Sequence, residues 1–268
     1  MPYYTCEVMF QPLHKLGVEY EFYHINGSYE IIDLPQLKDG EAILYTNYFA
    51  LKQRYITRLV EIYNDRLIVD NAQAFYAEPV KGIDTFYSAR KFFGVPDGGY
   101  LYTDCLLQGI IDEDKSIPRT HHLLLRIESG PESGYKFFRE ADDSLDNRPV
   151  MQMSKITDSI LRNIDYEWVA KRRRDNYECL RKEFGGYDMD DAVPMVFPFH
   201  LKEDVDLRGV LARDRVYVAK YWPNIDIMSL LPEERIMVDN VLPLPIDQRY
   251  VNDDMYYLIN LIKNVLKY

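Results

Sequence analysis

The chain has 268 residues, 47% of them hydrophobic and 28% charged, with a formal net charge of −11 and a pI near 5.0. That size and apolar content can bury a large core, as one big domain or two smaller ones. The acidic balance argues against a nucleic-acid binder, whose phosphate affinity comes mainly from clustered Lys and Arg. The run Lys171-Arg172-Arg173-Arg174 reads as a solvated helix face, because it has helical surroundings and is flanked by Glu167 and Asp175. Cys6, Cys105 and Cys179 form no CxxC and no even framework, as expected of reduced thiols in a cytosolic protein. The five histidines His14, His24, His121, His122 and His200 lack metal-ligand spacing. No run reaches the length of a membrane span and no signal-peptide pattern opens the chain, so the expectation is a cytoplasmic protein without a metal site.

Along the chain, Glu19-Tyr20-Glu21-Phe22-Tyr23-His24 alternates like a strand and Ile43-Leu44-Tyr45-Thr46 is a short buried run. Tyr55, Ile56, Leu59, Val60 and Tyr63 form one helical face. Leu67-Ile68-Val69, Thr85-Phe86-Tyr87 and Gly99-Tyr100-Leu101-Tyr102-Thr103 follow as strands. Strands alternating with helices predict an α/β layer with a mostly parallel sheet flanked by helices, whose ligands sit beyond the carboxyl ends of the strands. The polar stretch from Glu128 to Arg148 marks a change of organisation. We therefore divide the chain into residues 1–145 and residues 146–268, the latter holding a long connecting helix and a smaller α+β domain.

In that second part Ile156, Ile160, Ile164 and Trp168 recur every fourth residue, which predicts one long helix kinked or broken before Cys179-Leu180. Val193 to Phe199 reads as a strand, Asp204 to Arg213 as a short helix, and Val216-Tyr217-Val218 as a second strand. The last helix is predicted to start at Asn252 as N-cap, with Asp253 and Asp254 at the positive end of its dipole. Met255, Leu258, Ile259, Ile262, Val265 and Leu266 form its apolar stripe.

The residues that could carry chemistry cluster between Asn47 and Gly99. Asp70 closes an apolar strand, where an acidic residue either caps a turn or holds a cationic group. Lys91 follows after enough chain to finish a neighbouring strand, with Phe86-Tyr87 before it and Phe92-Phe93 after it. Alone it would be a surface lysine; among those aromatic residues, desolvation would favour the free amine as nucleophile and base. Ser88 and Arg90 could hold a phosphate, or could cap a turn and pair with a surface carboxylate. Gln73 and Asn47 could hydrogen-bond a ligand oxygen or stand exposed. A carboxylate at a strand end opposite a buried lysine is the pair a pyridoxal phosphate enzyme needs, one to keep the pyridine nitrogen protonated and one to form the Schiff base.

Asp70-Asn71-Ala72-Gln73-Ala74, then Ser88-Ala89-Arg90-Lys91 and the Gly98-Gly99 strand, resemble fold type I pyridoxal phosphate aminotransferases, most closely the DegT family that aminates keto sugars on nucleotide carriers. The likeness extends to Pro2-Tyr3-Tyr4-Thr5-Cys6, to Met153-Ser154 before the long helix, and to Tyr221-Trp222-Pro223 with Val241 to Ile246. It implies pyridoxal 5'-phosphate as cofactor, an amino-acid donor, a keto-sugar acceptor and a homodimer. It also implies Lys91 as the catalytic lysine, Asp70 as partner of the pyridine nitrogen, Gln73 on the 3' oxygen, Ala72 against the ring face and Ser88 on the phosphate. Lysine at this place favours amino transfer over sugar dehydration, since the related dehydratases carry histidine there. The family's serine lies a couple of residues further ahead of the lysine than Ser88 does. The chain opens where the family is already well into its large domain, after the helix whose backbone amides hold the phosphate and after a ring-stacking residue. A second expectation follows from that: a shortened relative that has kept the scaffold as a binding or assembly partner. Arg119, Arg126 and Arg148 are candidates for a nucleotide diphosphate by charge alone.

Overall fold

The structure, a computed structural model, describes every residue except 108, 110, 203, 204, 223, 224, 267 and 268; Asp204 and Pro223, used in the sequence reading, therefore lie outside the described residues. Residues 1–42 hold a single α-helix, α1 (Phe10–Leu16). The alternation at 19–24 does not become a strand. Tyr23 forms only an isolated bridge to Pro2, and Ile25 one to Ile31. This segment is fastened by tyrosine hydroxyls, which can bury a ring and still satisfy their O–H. Tyr23 donates to the carbonyl of Leu44 at 2.7 Å, and Tyr48 donates to that of Tyr4 at 2.7 Å.

The sheet follows the sequence reading closely. Strand β1 (Ile43–Thr46) leads through helix α2 (Gln53–Tyr63) to β2 (Leu67–Asn71), then β3 (Asp84–Ser88) and β4 (Gly99–Tyr102). The order is β1-β2-β3-β4, with the first three parallel and β4 antiparallel to β3. Helix α2 buries Tyr55, Ile56, Leu59 and Tyr63 as its spacing predicts. Because β1, β2 and β3 run the same way, Thr46, Asp70 and Ser88 all emerge at one end of the sheet.

The polar stretch beyond Glu128 is helical. Helices α3 (His121–Ser129) and α4 (Pro131–Asp143) form an antiparallel pair, separated by Gly130 at φ +89° with Pro131 as the first residue of α4. Gly134 lets them approach, since a Cβ there would sit 2.9 Å from the carbonyl oxygen of His122. The long connecting helix is two helices, α5 (Lys155–Leu161) and α6 (Tyr166–Phe184). Each has its own cap: Ser154 Oγ accepts from Thr157 N–H and Asp165 from Trp168 N–H. Helix α6 then continues through Cys179-Leu180, so the break lies at 162–165 and not before Cys179.

Strand β5 (Phe197–His200), helix α7 (Leu207–Arg213), helix α8 (Pro232–Asn240), strand β6 (Val241–Leu244) and helix α9 (Asn252–Leu266) complete the chain. β5 pairs antiparallel with β6, whereas Val216-Tyr217-Val218, expected as a strand, has no ladder partner. Asn252 is the first residue of α9, and Asp254 caps it by accepting from Val251 N–H at 2.8 Å. Two apolar cores result. One surrounds the four-stranded sheet and draws in Val169, Met195 and Trp222; the other lies between α6, β5, β6 and α9. No described helix is long and apolar enough to cross a membrane, and among the described residues no three His, Cys, Asp or Glu could together hold a metal ion.

Candidate active site

The site is built at the carboxyl ends of β1, β2 and β3. Asp70 is 7% exposed. One carboxylate oxygen accepts from Ala72 N–H at 2.8 Å and the other from the Thr46 hydroxyl at 3.3 Å. Burial raises its pKa, and the Lys91 charge, the Ala72 N–H and the Thr46 hydroxyl only partly oppose that rise. A buried carboxyl with one cation nearby and room for another hydrogen bond is suited to a cationic ring nitrogen.

Gln73 is buried, and its Oε1 accepts from Phe49 N–H at 2.9 Å. That bond holds Phe49 at φ 58°, an unusual value for a bulky residue. The other half of the amide, Nε2, has no hydrogen-bond partner among the described residues and is free to donate to a ligand. Ala72 is half-buried beside Asp70, a small surface on which a ring could lie. Asn47, expected to reach a ligand oxygen, is instead fully engaged. Its Nδ2 donates to Asn71 at 3.0 Å and Gln53 at 3.2 Å, and its Oδ1 accepts from Lys52 N–H at 3.1 Å. Asn47 thus shapes the turn after β1.

Lys91 ends a short 3-10 turn, Ala89–Lys91, directly after β3. The aromatic enclosure expected around it is not formed. Phe92 and Phe93 turn into the core at 3% and 5% exposure, Phe93 meeting Phe75 edge-on at 4.9 Å, while Lys91 itself is exposed. Its ammonium has no ion pair among the described residues, and the acidic group that feels it is Asp70. Ser88 is half-buried with its hydroxyl unpartnered among the described residues, so its O–H is free to donate to a phosphate. Arg90 points elsewhere, pairing with Asp142 of α4 at 2.8 Å, because α4 packs where the sequence reading placed polar loop.

Two of the three arginines considered by charge, Arg119 and Arg148, are also engaged. Arg119 is 4% exposed and pairs with Asp97 and Asp114, and Arg148 pairs with Asp114 at 3.2 Å. Asp97, Asp114 and Arg148 line a pocket of about 220 Å³ beside Gly98 and Gly99. Thr46 was missed in the sequence, although its strand-end position opposite Asp70 in a parallel pair is legible once the register is known.

No family sequence model matches the chain, and no curated protein matches it in sequence. Solved structures do match in fold. The chain is similar to E. coli GDP-4-keto-6-deoxy-D-mannose-3-dehydratase with bound hydrated PLP, at 14% identity and TM-score 0.61, covering 98% of this chain and 79% of that one. It is similar to a DegT DnrJ EryC1 StrS aminotransferase from Brucella abortus, at 14% identity and TM-score 0.57, over 98% and 78% of the two chains. It is also similar to DesI, solved in the presence of its TDP-sugar product, at 12% identity and TM-score 0.54, over 98% and 73%. The mixed, mostly parallel sheet with its flanking helices is the fold that the chain shares with these structures.

Proposed function

We propose that the chain is a pyridoxal phosphate-dependent aminotransferase-like protein that moves an amino group from an amino acid, such as glutamate, to a keto sugar on a nucleotide carrier. The observation that carries this reading is Asp70: a carboxyl buried at the end of β2, with Lys91, in the turn that follows the adjacent parallel strand, as its opposing charge. The donor set fits the ring of the cofactor. Asp70 would accept from the protonated ring nitrogen, Gln73 Nε2 would donate to the 3' oxygen, Ala72 would lie against a ring face and Ser88 would meet the phosphate. Bound pyridoxal phosphate supplies an electron sink for the pair released when a Cα–H bond ionises. The Lys91 amine would be the base that moves that proton between Cα and C4', a role that needs a flexible, accessible amine near both atoms. Exposure of Lys91 in the single chain fits a site that a second copy helps to close. Lysine at this position supports amino transfer, although one similar structure is a dehydratase.

Adding pyridoxal phosphate to the purified protein should produce the visible band of lysine-bound cofactor, absent from Lys91→Ala. Glutamate should bleach it, and a nucleotide-linked keto sugar should then be converted to the amino sugar. A wild-type protein without the band would refute the reading. The pairing of Arg90 with Asp142 favours a second reading, a binding or assembly partner without turnover, because Ser88 is then the sole side chain from the predicted set left for the phosphate. Cofactor binding without donor turnover would select it.

A further inference from the structure

The run Lys171 to Arg174 is not a uniformly solvated face. Arg173 is 2% exposed, in phase with Val169, Ala170, Asn176, Tyr177 and Leu180 on the buried side of α6. No carboxylate lies within ion-pair distance of its guanidinium among the described residues. Nη1 donates to the carbonyl of Met195 at 2.9 Å and Pro194 at 3.4 Å, Nη2 to that of Phe92 at 3.3 Å, and Nε to Gln248 Oε1 at 3.1 Å. The guanidinium also stacks over the Phe92 ring, 4.6 Å from its centre. Gln248 closes the arrangement, since its Nε2 donates to the same Phe92 carbonyl at 2.9 Å.

Phe92 directly follows Lys91. Its ring and carbonyl are therefore held from the C-terminal half, while its amide and that of Phe93 both bond back to the Ala89 carbonyl at 3.1 and 3.0 Å. A buried cation spent on neutral carbonyls is costly to desolvate, and burial pushes Arg173 down to about 10. Packing alone would be served better by an apolar side chain. Its planar fork can instead bridge several carbonyls in fixed geometry, which a lysine could not.

We infer that Arg173 and Gln248 are positioning residues that clamp the Phe92 carbonyl and so hold the Lys91 turn against the 194–195 and 247–248 segments. The mechanical part stands on the geometry; the catalytic consequence rests on the proposed role of Lys91. In this arrangement any shift of the C-terminal half relative to the sheet moves the lysine.

The informative variant is Gln248→Glu. It keeps an oxygen for Arg173 Nε, so the buried cation stays satisfied, but replaces the donor to Phe92 with a repelling oxygen. Hydrogen exchange at Phe92 and Phe93 should rise about tenfold, the equivalent of ~1.4 kcal/mol, with exchange in β2 and the thermal midpoint unchanged. Borohydride trapping of pyridoxal phosphate on Lys91 should slow by a comparable factor, and Gln248→Asn should restore neither. Arg173→Met should show the larger loosening wherever it folds. Unchanged exchange at Phe92 and Phe93 in Gln248→Glu, or a rise shared equally by β2, would overturn the clamp. If the wild-type protein takes no label, the proposed function falls and exchange alone decides the clamp.

Discussion

Replacing Asp70 with Asn separates what the site costs the fold from what it offers a ligand. The amide can keep both observed contacts, its oxygen accepting from Ala72 N–H and its nitrogen donating to Thr46 Oγ1, so packing changes little. What disappears is a buried charge. Because burial raises the Asp70 pKa above its ordinary 3.8, folding favours the protonated acid. A raised folded-state pKa contributes stability that is present below the unfolded pKa and lost as pH rises through the folded value. The variant without cofactor should therefore match wild type at low pH and become the more stable of the two as pH climbs past that range. With cofactor the order reverses, since the charged hydrogen bond to the ring nitrogen, worth about 1.5 to 3 kcal/mol, is lost and affinity should drop by roughly 10 to 150-fold. Thermal midpoints across pH, with and without pyridoxal phosphate, test both halves. An Asp70→Asn protein less stable than wild type at neutral pH, or one that binds cofactor equally well, would refute the reasoning.

Gln73→Leu leaves the buried Phe49 N–H unpaired, so chemical denaturation should show a loss of about 1 to 3 kcal/mol. Gly98 has φ +103° and an added Cβ would meet Thr157 Cγ2 at 2.8 Å; Gly98→Ala should cost about 1 to 3 kcal/mol in the same assay. Arg90→Met breaks a partly exposed ion pair with Asp142, worth at most about 1 kcal/mol, and should leave cofactor affinity unchanged in a titration.

The sheet and its carboxyl edge were legible because β1, β2 and β3 are short apolar runs separated by chain that cannot continue a strand. Asp70 and Ser88 could thus be placed at strand ends before any geometry was known. Helix α9 was legible for a similar reason, its stripe repeating without interruption. The errors have physical causes. Residues 19–24 alternate, yet that segment makes only an isolated backbone bridge to Pro2, supported by the Tyr23 hydroxyl on Leu44, and forms no ladder, so periodicity misleads. Helices α3 and α4 bury few of their residues, Gly134 and Ala141 in α4 and none in α3, so their apolar signal is weak. The 162–165 break depends on Asp165 acting as a cap in the middle of an otherwise continuous apolar repeat. Arg173 was read by its charge, whereas its phase with Val169 and Leu180 is the better guide to its burial.

The central claim is that Lys91 carries the cofactor. Purified protein should be incubated with pyridoxal phosphate, reduced with borohydride, digested and mapped by mass spectrometry. The account predicts a single pyridoxyl label on Lys91, lost in Lys91→Ala with a change in thermal stability of no more than about 0.5 kcal/mol, as for an exposed side chain. An unlabelled protein, or a label on Lys52 with Lys91 unmodified, would contradict it.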